Sequence, residues 1–207
     1  MSVLPGFRHL TGYFGIPEQT ALLSQLRAVL AAAPLFVPRM PRSGRPFSVR
    51  MSNCGTLGWV SDQDGGYRYQ PTHPETGLAW PAMPRCLTDL WDEVADFSHH
   101  PEACLINYYS SGTRMGSHRD ADEADFTAPV VSVSLGDDAV FHLGGRQRAD
   151  AKSRIVLKSG DVVVLGGEAR LAYHGIDRIL PGTSSLLAEG GRLNLTLRRV
   201  GRTQGTK

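Results

Sequence analysis

The chain has 207 residues with a formal net charge of +2, 41% hydrophobic and 20% charged residues. That length suits one domain and could bury roughly 70% of the unfolded surface. Balanced charge and ordinary apolar content exclude disorder. The longest apolar stretch, residues 28–37, is broken by Pro34 and is too short to span a bilayer, so membrane crossing is excluded too. Cys54, Cys86 and Cys104 form no CxxC pair, and no secretory leader is visible, so a reducing cytoplasm is expected. Nineteen of the 22 basic residues are Arg. GC-rich codon usage explains this as well as a need for bidentate anion binding does.

Apolar residues recur at helical spacing at Leu22, Leu23, Leu26, Val29, Leu30 and Ala33, predicting a helix from Pro17 to the break at Pro34. A second is predicted over 84–97, with Leu87, Leu90, Trp91 and Val94 inward. Between them, residues 38–84 are rich in Gly, Pro, Arg and aromatics and read as a loop-rich lid. After residue 100 the pattern changes to short alternating runs at 103–109, 130–135, 139–143, 154–157, 161–165, 173–179 and 192–200. Seven such strands with no interleaved helix predict a mainly β, α+β chain, a sandwich or jelly roll with N-terminal helices outside.

In the last strand, Leu193, Leu195 and Leu197 share one face, and Arg192, Asn194, Thr196 and Arg198 the other. The polar face is either wet, as is common in antiparallel sheets, or lines an interior where two cations would require an anion such as a small dicarboxylate. His118-Arg119-Asp120 offers an imidazole and a carboxylate two residues apart, a spacing that chance also produces. His174 would complete a two-His, one-carboxylate set suited to non-haem iron.

Longer strings add to this reading. They include Asn53-Cys-Gly-Thr-Leu-Gly-Trp59, Gly66-Tyr-Arg-Tyr-Gln-Pro71, Cys104-Leu-Ile-Asn-Tyr-Tyr109, His118-Arg-Asp-Ala-Asp-Glu123, Gly166-Gly-Glu-Ala-Arg-Leu-Ala-Tyr-His174 and Arg192-Leu-Asn-Leu-Thr-Leu-Arg198. In this order they resemble the AlkB family of iron(II)- and 2-oxoglutarate-dependent nucleic-acid demethylases.

The resemblance implies a double-stranded β-helix in one compact unit, with helices and a nucleotide-recognition lid in residues 1–100 and the dioxygenase core in 101–207. It implies that His118, Asp120 and His174 bind Fe(II), and that Arg192 pairs with the distal carboxylate of 2-oxoglutarate. Asn107, Tyr109, Asn194 and Arg198 would complete the co-substrate site, and O2 would be the oxidant. The implied reaction is demethylation of 1-methyladenine and 3-methylcytosine in single-stranded DNA, with RNA as a second substrate, releasing formaldehyde, succinate and CO2.

On the substrate side, the resemblance places Trp59 against the flipped base, with Tyr67, Tyr69 and Arg148 nearby. Asp122 would favour the cationic, methylated base, and Glu123 is either a substrate contact or an exposed acid. Leu165 and Tyr108 stand where the family carries Trp and Arg, and the interval from Trp59 to Gly66 is one residue long. His9, His73 and His142 are given no ligand role, and the chain is expected to be monomeric. The alternatives are the same oxygenase acting on another RNA or a protein side chain, or a cupin-like metal sensor or nucleic-acid binding module without catalysis.

Overall fold

The computed structural model describes residues 4–201. Its elements run β1 (Phe7–Leu10), α1 (Ile16–Ala32), β2 (Arg50–Gly55), β3 (Gly58–Asp62), β4 (Gly66–Gln70) and α2 (Arg85–Val94). They continue with β5 (Ala103–Tyr109), β6 (Met115–His118), β7 (Val130–Gly136), β8 (Asp138–Leu143), β9 (Ser153–Leu157), β10 (Val162–Leu165), β11 (His174–Leu180) and β12 (Arg192–Arg198). The chain is mainly β with two helices, as the sequence pattern predicts.

The seven expected C-terminal strands are β5 and β7–β12. Both helices also form, α1 with Pro17 in its first turn, where a missing N–H costs nothing. The lid segment differs from its loop-rich reading, because it contains β2, β3 and β4. Its strands are short and carry Gly, Asn and Ser, so they show no clean alternation.

The strands form a six-stranded sheet in the order β1-β10-β7-β12-β5-β2, a four-stranded sheet β6-β11-β8-β9, and the hairpin β3-β4. Every strand pairing among the described residues is antiparallel. Thus β1 and β2, from the N-terminal half, are built into the same sheet as the C-terminal strands. Residues 202–207 of the expected core segment lie outside the described residues.

The six-stranded sheet is buried on both faces. One face carries Leu193, Leu195, Leu197, Ile106, Val131 and Val133, packed with Leu22, Leu23 and Leu26 of α1 and Leu87, Leu90 and Trp91 of α2. Each such Leu contributes about 1.5–3 kcal/mol by leaving water, enough to hold short helices that lack side-chain caps. The opposite face meets the four-stranded sheet through Leu105, Val163, Leu165, Phe141 and Ile176. All seven residues of β12 are buried, so its polar face is interior rather than wet.

Candidate active site

Between the two sheets lies a cavity of about 410 Å³, lined by residues of both sheets and of the β3-β4 hairpin. Antiparallel register places its parts. β12 pairs with β5 so that Arg192 stands opposite Tyr109 and Asn194 opposite Asn107. β11 pairs with β6 so that His174 stands opposite His118.

Candidate ligand atoms of His118, Asp120 and His174 all lie within 4.8 Å of one another. Nδ1 of His118 meets the Gly116 carbonyl at 2.9 Å, and Nδ1 of His174 the Ala172 carbonyl at 3.0 Å. A carbonyl only accepts, so each Nδ1 carries the proton and each Nε2 keeps its lone pair. Both Nε2 atoms face Asp120, at 3.9 Å from Oδ1 and 3.7 Å from Oδ2. Gly175, next to His174, has no room for a side chain: a Cβ would sit 2.5 Å from the Met115 carbonyl oxygen.

Burial, with His118 alongside, pushes His174 down to about 4, so the buried imidazole is neutral near pH 7. Burial would raise the Asp120 pKa, but Arg198, His174, His118 and Arg170 outweigh it and hold the carboxyl well below the usual range. Two neutral imidazole nitrogens and one ionised carboxylate are the donor set that non-haem Fe(II) takes, and the residues fit that ion.

Arg198 Nη2 donates to Asp120 Oδ1 at 2.7 Å, and Nη1 lies 3.6 Å from Glu123 Oε1. Arg170 is buried; its Nη1 donates to the Asp120 main-chain oxygen at 2.7 Å and its Nη2 to Glu123 at 3.0 Å. Tyr69 donates its hydroxyl to Glu123 and accepts from Arg198 Nη1 at 3.1 Å. Three expectations change here. Glu123 is a buried counter-ion rather than an exposed acid. Tyr69 joins this network and is absent from the cavity wall. Arg198 already has an anion inside the protein, so the polar face of β12 needs one external anion rather than a partner for each Arg.

That anion belongs at Arg192. It is 1% exposed and has no ion pair among the described residues. Its Nη2 donates to Ser134 Oγ at 2.8 Å, while Nε and Nη1 are buried without a partner among the described residues. Asn107 Oδ1 is likewise buried without a partner. Tyr109 lies under the Arg192 guanidinium, 5.6 Å from Cζ to ring centroid, and Asn194 donates to Ser132 Oγ at 2.7 Å. An uncompensated buried guanidinium is costly, and a carboxylate of a ligand such as 2-oxoglutarate fits it, in the cavity that the metal triad also lines.

At the mouth, Asn53 holds Trp59 by two backbone hydrogen bonds of 3.0 Å, and Trp59 Nε1 donates to Asp122 Oδ2 at 2.8 Å. Tyr67 stacks on Trp59 with centroids 5.6 Å apart. Arg148 Nη2 donates to the Ser117 carbonyl at 2.7 Å, and Trp59, Tyr67, Asp122 and Arg148 all line the cavity.

Of the departures, Leu165 lines the cavity wall, and Tyr108 packs under Arg50 at 4.8 Å. The interval from Trp59 to Gly66 contains the turn at residues 63–65 of the β3-β4 hairpin. Sequence reasoning missed Arg170. Its only signal was a cation set among small residues inside one of the family-like strings. His142 has a polar partner, Asp177 Oδ1 at 2.7 Å, and His9 pairs with Asp161 Oδ2 at 2.8 Å.

Comparison with known proteins agrees with this geometry. The family model of the 2OG-Fe(II) oxygenase superfamily matches residues 6–198. The chain is 51% identical over 200 residues to the alpha-ketoglutarate-dependent dioxygenase AlkB homolog of Caulobacter vibrioides, covering 97% of this chain and 90% of that protein. It is 42% identical to the alpha-ketoglutarate-dependent dioxygenase AlkB of Escherichia coli, covering 92% and 88%. A solved structure titled "The structure of OsALKBH1" superposes with a TM-score of 0.75 at 29% identity, covering 96% of this chain and all of that one. The chain belongs to the 2OG-Fe(II) oxygenase superfamily and, within it, to the AlkB dioxygenases.

Proposed function

We propose that this chain repairs alkylated nucleic acid by oxidative demethylation of 1-methyladenine and 3-methylcytosine, in single-stranded DNA and also in RNA. The observation that carries the reading is a single cavity with a His-Asp-His triad and an unpaired buried Arg192 inside and a Trp59-Asp122 pair at its mouth. The two sheets make up a double-stranded β-helix, with residues 1–100 supplying the helices and lid and residues 101–207 the rest of the core. The enzyme works as a monomer in the cytoplasm. The free thiols of Cys54, Cys86 and Cys104 accord with a reducing compartment, and no helix among the described residues is long and apolar enough to cross a membrane.

His118, Asp120 and His174 hold Fe(II), which supplies the activation of O2 against the 2-oxo acid. Arg192 takes the distal carboxylate of 2-oxoglutarate, with Asn107, Tyr109, Asn194 and Arg198 around the remainder. Trp59 offers its face to the extruded base, a contact worth about 1–3 kcal/mol and tolerant of base identity. Asp122 and Tyr67 stand at that mouth, and Tyr69 braces the hairpin from behind through Glu123 and Arg198. A base methylated at a Watson–Crick nitrogen pairs poorly, so extruding it costs less. Such a base is cationic, and Asp122 favours it over the neutral base. The methyl carbon is hydroxylated and departs as formaldehyde while 2-oxoglutarate becomes succinate and CO2.

The test is mass spectrometry of a single-stranded oligonucleotide carrying 1-methyladenine, incubated with the protein, Fe(II), ascorbate and 2-oxoglutarate. Loss of one methyl group is expected. No loss with fully metallated protein would reject the reading.

A further inference from the structure

Two β-bulges meet behind the metal triad. Where β11 pairs with β8, Ile176 stands opposite Phe141 and Arg178 opposite Val140, so Asp177 is an extra residue on β11. Where β11 pairs with β6, His174 stands opposite His118 and Ile176 opposite Met115, so Gly116 and Ser117 together face Gly175 alone. The bulge at Asp177 decides which side chains turn inward. His174 and Ile176 line the cavity, and plain alternation would carry the charged Arg178 in after them. The extra residue leaves Arg178 exposed and buries Ile179 instead. A bulge disrupts the ladder locally, so its shape needs support from side chains.

That support lies on the outer face of the four-stranded sheet. Gly175, His142 and Arg154 form one row across β11, β8 and β9. Asp177 Oδ1 accepts from His142 Nδ1 at 2.7 Å, and its Oδ2 accepts from Arg154 Nε at 2.8 Å. The hydrogen bond from Arg154, with that from His142, outweighs burial and holds the Asp177 carboxyl below its usual range. An ionised carboxylate only accepts, so Nδ1 of His142 carries the proton. His142 is buried, and its Nε2 has no partner among the described residues, so the bond to the bulge residue is the one its ring makes. His142 Cε1 and the carbonyl oxygens of Met115 and Gly116 converge on the space over Gly175, where a Cβ would lie 2.8, 2.5 and 2.9 Å from them. The Gly116 carbonyl in turn accepts from Nδ1 of His118. Asp177 is thus linked to His118 through His142 and Gly116, and to His174 along β11.

We infer that His142 and Asp177 are positioning residues for the metal centre: their hydrogen bond fixes the two bulges and so aims the imidazoles of His118 and His174 at one ion. Neither residue lines the cavity, so neither acts by touching substrate or co-substrate. The inference rests on the assignment of His118, Asp120 and His174 as the metal ligands.

The experiment titrates the whole metal-free protein with Co(II), whose visible absorption reports the geometry of its ligands. Asp177→Ala and His142→Phe should each weaken Co(II) binding about tenfold, as expected for removing groups that orient metal ligands from behind. Both should also alter the Co(II) absorption bands. His142→Gln keeps a donor for Asp177 and should restore affinity and spectrum close to wild type. A lower Tm in Asp177→Ala and His142→Phe with wild-type Co(II) affinity and spectrum would reduce the pair to a structural contact and overturn the proposal. Equal losses in His142→Phe and His142→Gln would overturn it as well. Should Asp177→Ala fail to fold, His142→Phe, which keeps the ring volume, carries the same test. Undiminished Co(II) affinity in His174→Ala would reject the ligand assignment, and the positioning role with it. A protein whose variants bind Co(II) as expected, yet whose wild type removes no methyl group, would reject the demethylase reading and leave the positioning role standing.

Discussion

Arg198 and Asp120 are joined by a 2.7 Å charge-assisted hydrogen bond, whereas Arg192, six residues earlier on the same strand face, has no carboxylate partner among the described residues. The two arginines therefore do different work. Arg198 neutralises an acid of the metal triad and is part of what holds the protein together. Arg192 is a buried cation whose counter-ion must come from outside.

Opposite costs follow for the two substitutions. Arg192→Met should leave the Tm of metal-free protein almost unchanged or raised, yet weaken 2-oxoglutarate binding roughly 10- to 100-fold, the worth of one or two hydrogen bonds to a charged group. It should also erase the preference for 2-oxoglutarate over a monocarboxylic 2-oxo acid. Arg198→Met should cost about 3–5 kcal/mol of stability, because Asp120 loses its partner while buried. Thermal denaturation and co-substrate titration of both variants check this; equal behaviour would contradict it.

Glu123 is buried against Arg170, Arg198 and Tyr69. Removing its charge leaves two guanidiniums facing one remaining acid. Glu123→Ala should lower stability by about 3–5 kcal/mol, or roughly 10 °C in Tm for a domain of this size, and Glu123→Gln should lose less. Wild-type melting of Glu123→Ala by circular dichroism would show the network to be energetically idle.

Metal-free protein should lose stability as pH falls from 6.5 toward 4. The imidazole of His174 is depressed to about 4 by burial and by His118, so below 6.5 the unfolded chain takes up a proton that the folded chain refuses. Its contribution is fully present above 6.5 and drains away at up to about 1.4 kcal/mol per pH unit until pH reaches 4. His174→Gln should flatten that part of the profile. An identical slope in the variant would assign the effect to other groups.

Asp122→Asn should reduce discrimination between oligonucleotides bearing 1-methyladenine and adenine while leaving general strand affinity close to wild type. The acid is exposed at the cavity mouth and already accepts the Trp59 indole N–H, so the change should be modest, about 1 kcal/mol or fivefold. Competition binding reads it; an equal loss for both strands would remove the assigned role.

The site was legible in sequence where a local repeat encodes it. Alternation in β12 separated Leu193, Leu195 and Leu197 from Arg192, Asn194 and Arg198, and the structure turns those two sets to the helices and to the cavity. Strand β2 was illegible: Met51, Ser52, Asn53 and Cys54 are all buried, so no polar-apolar alternation marks a face. Asn53 reads as a loop residue, yet its amide closes two hydrogen bonds on the Trp59 backbone. The partner of Arg198 was equally hidden, because Asp120 lies 78 positions away and only the fold brings them together. Arg170 has the same character, reaching Glu123 from 47 positions away. Counting cations on one strand located the need for an anion but not which cation lacked one.

One cavity is expected to couple 2-oxoglutarate turnover to removal of a base methyl group. Succinate, formaldehyde and repaired base should be quantified together over a time course with a 1-methyladenine oligonucleotide, for wild type and for Asp120→Ala. Wild type should form all three in equimolar amounts and the variant none. Succinate released without formaldehyde, or repair persisting in Asp120→Ala, would contradict it.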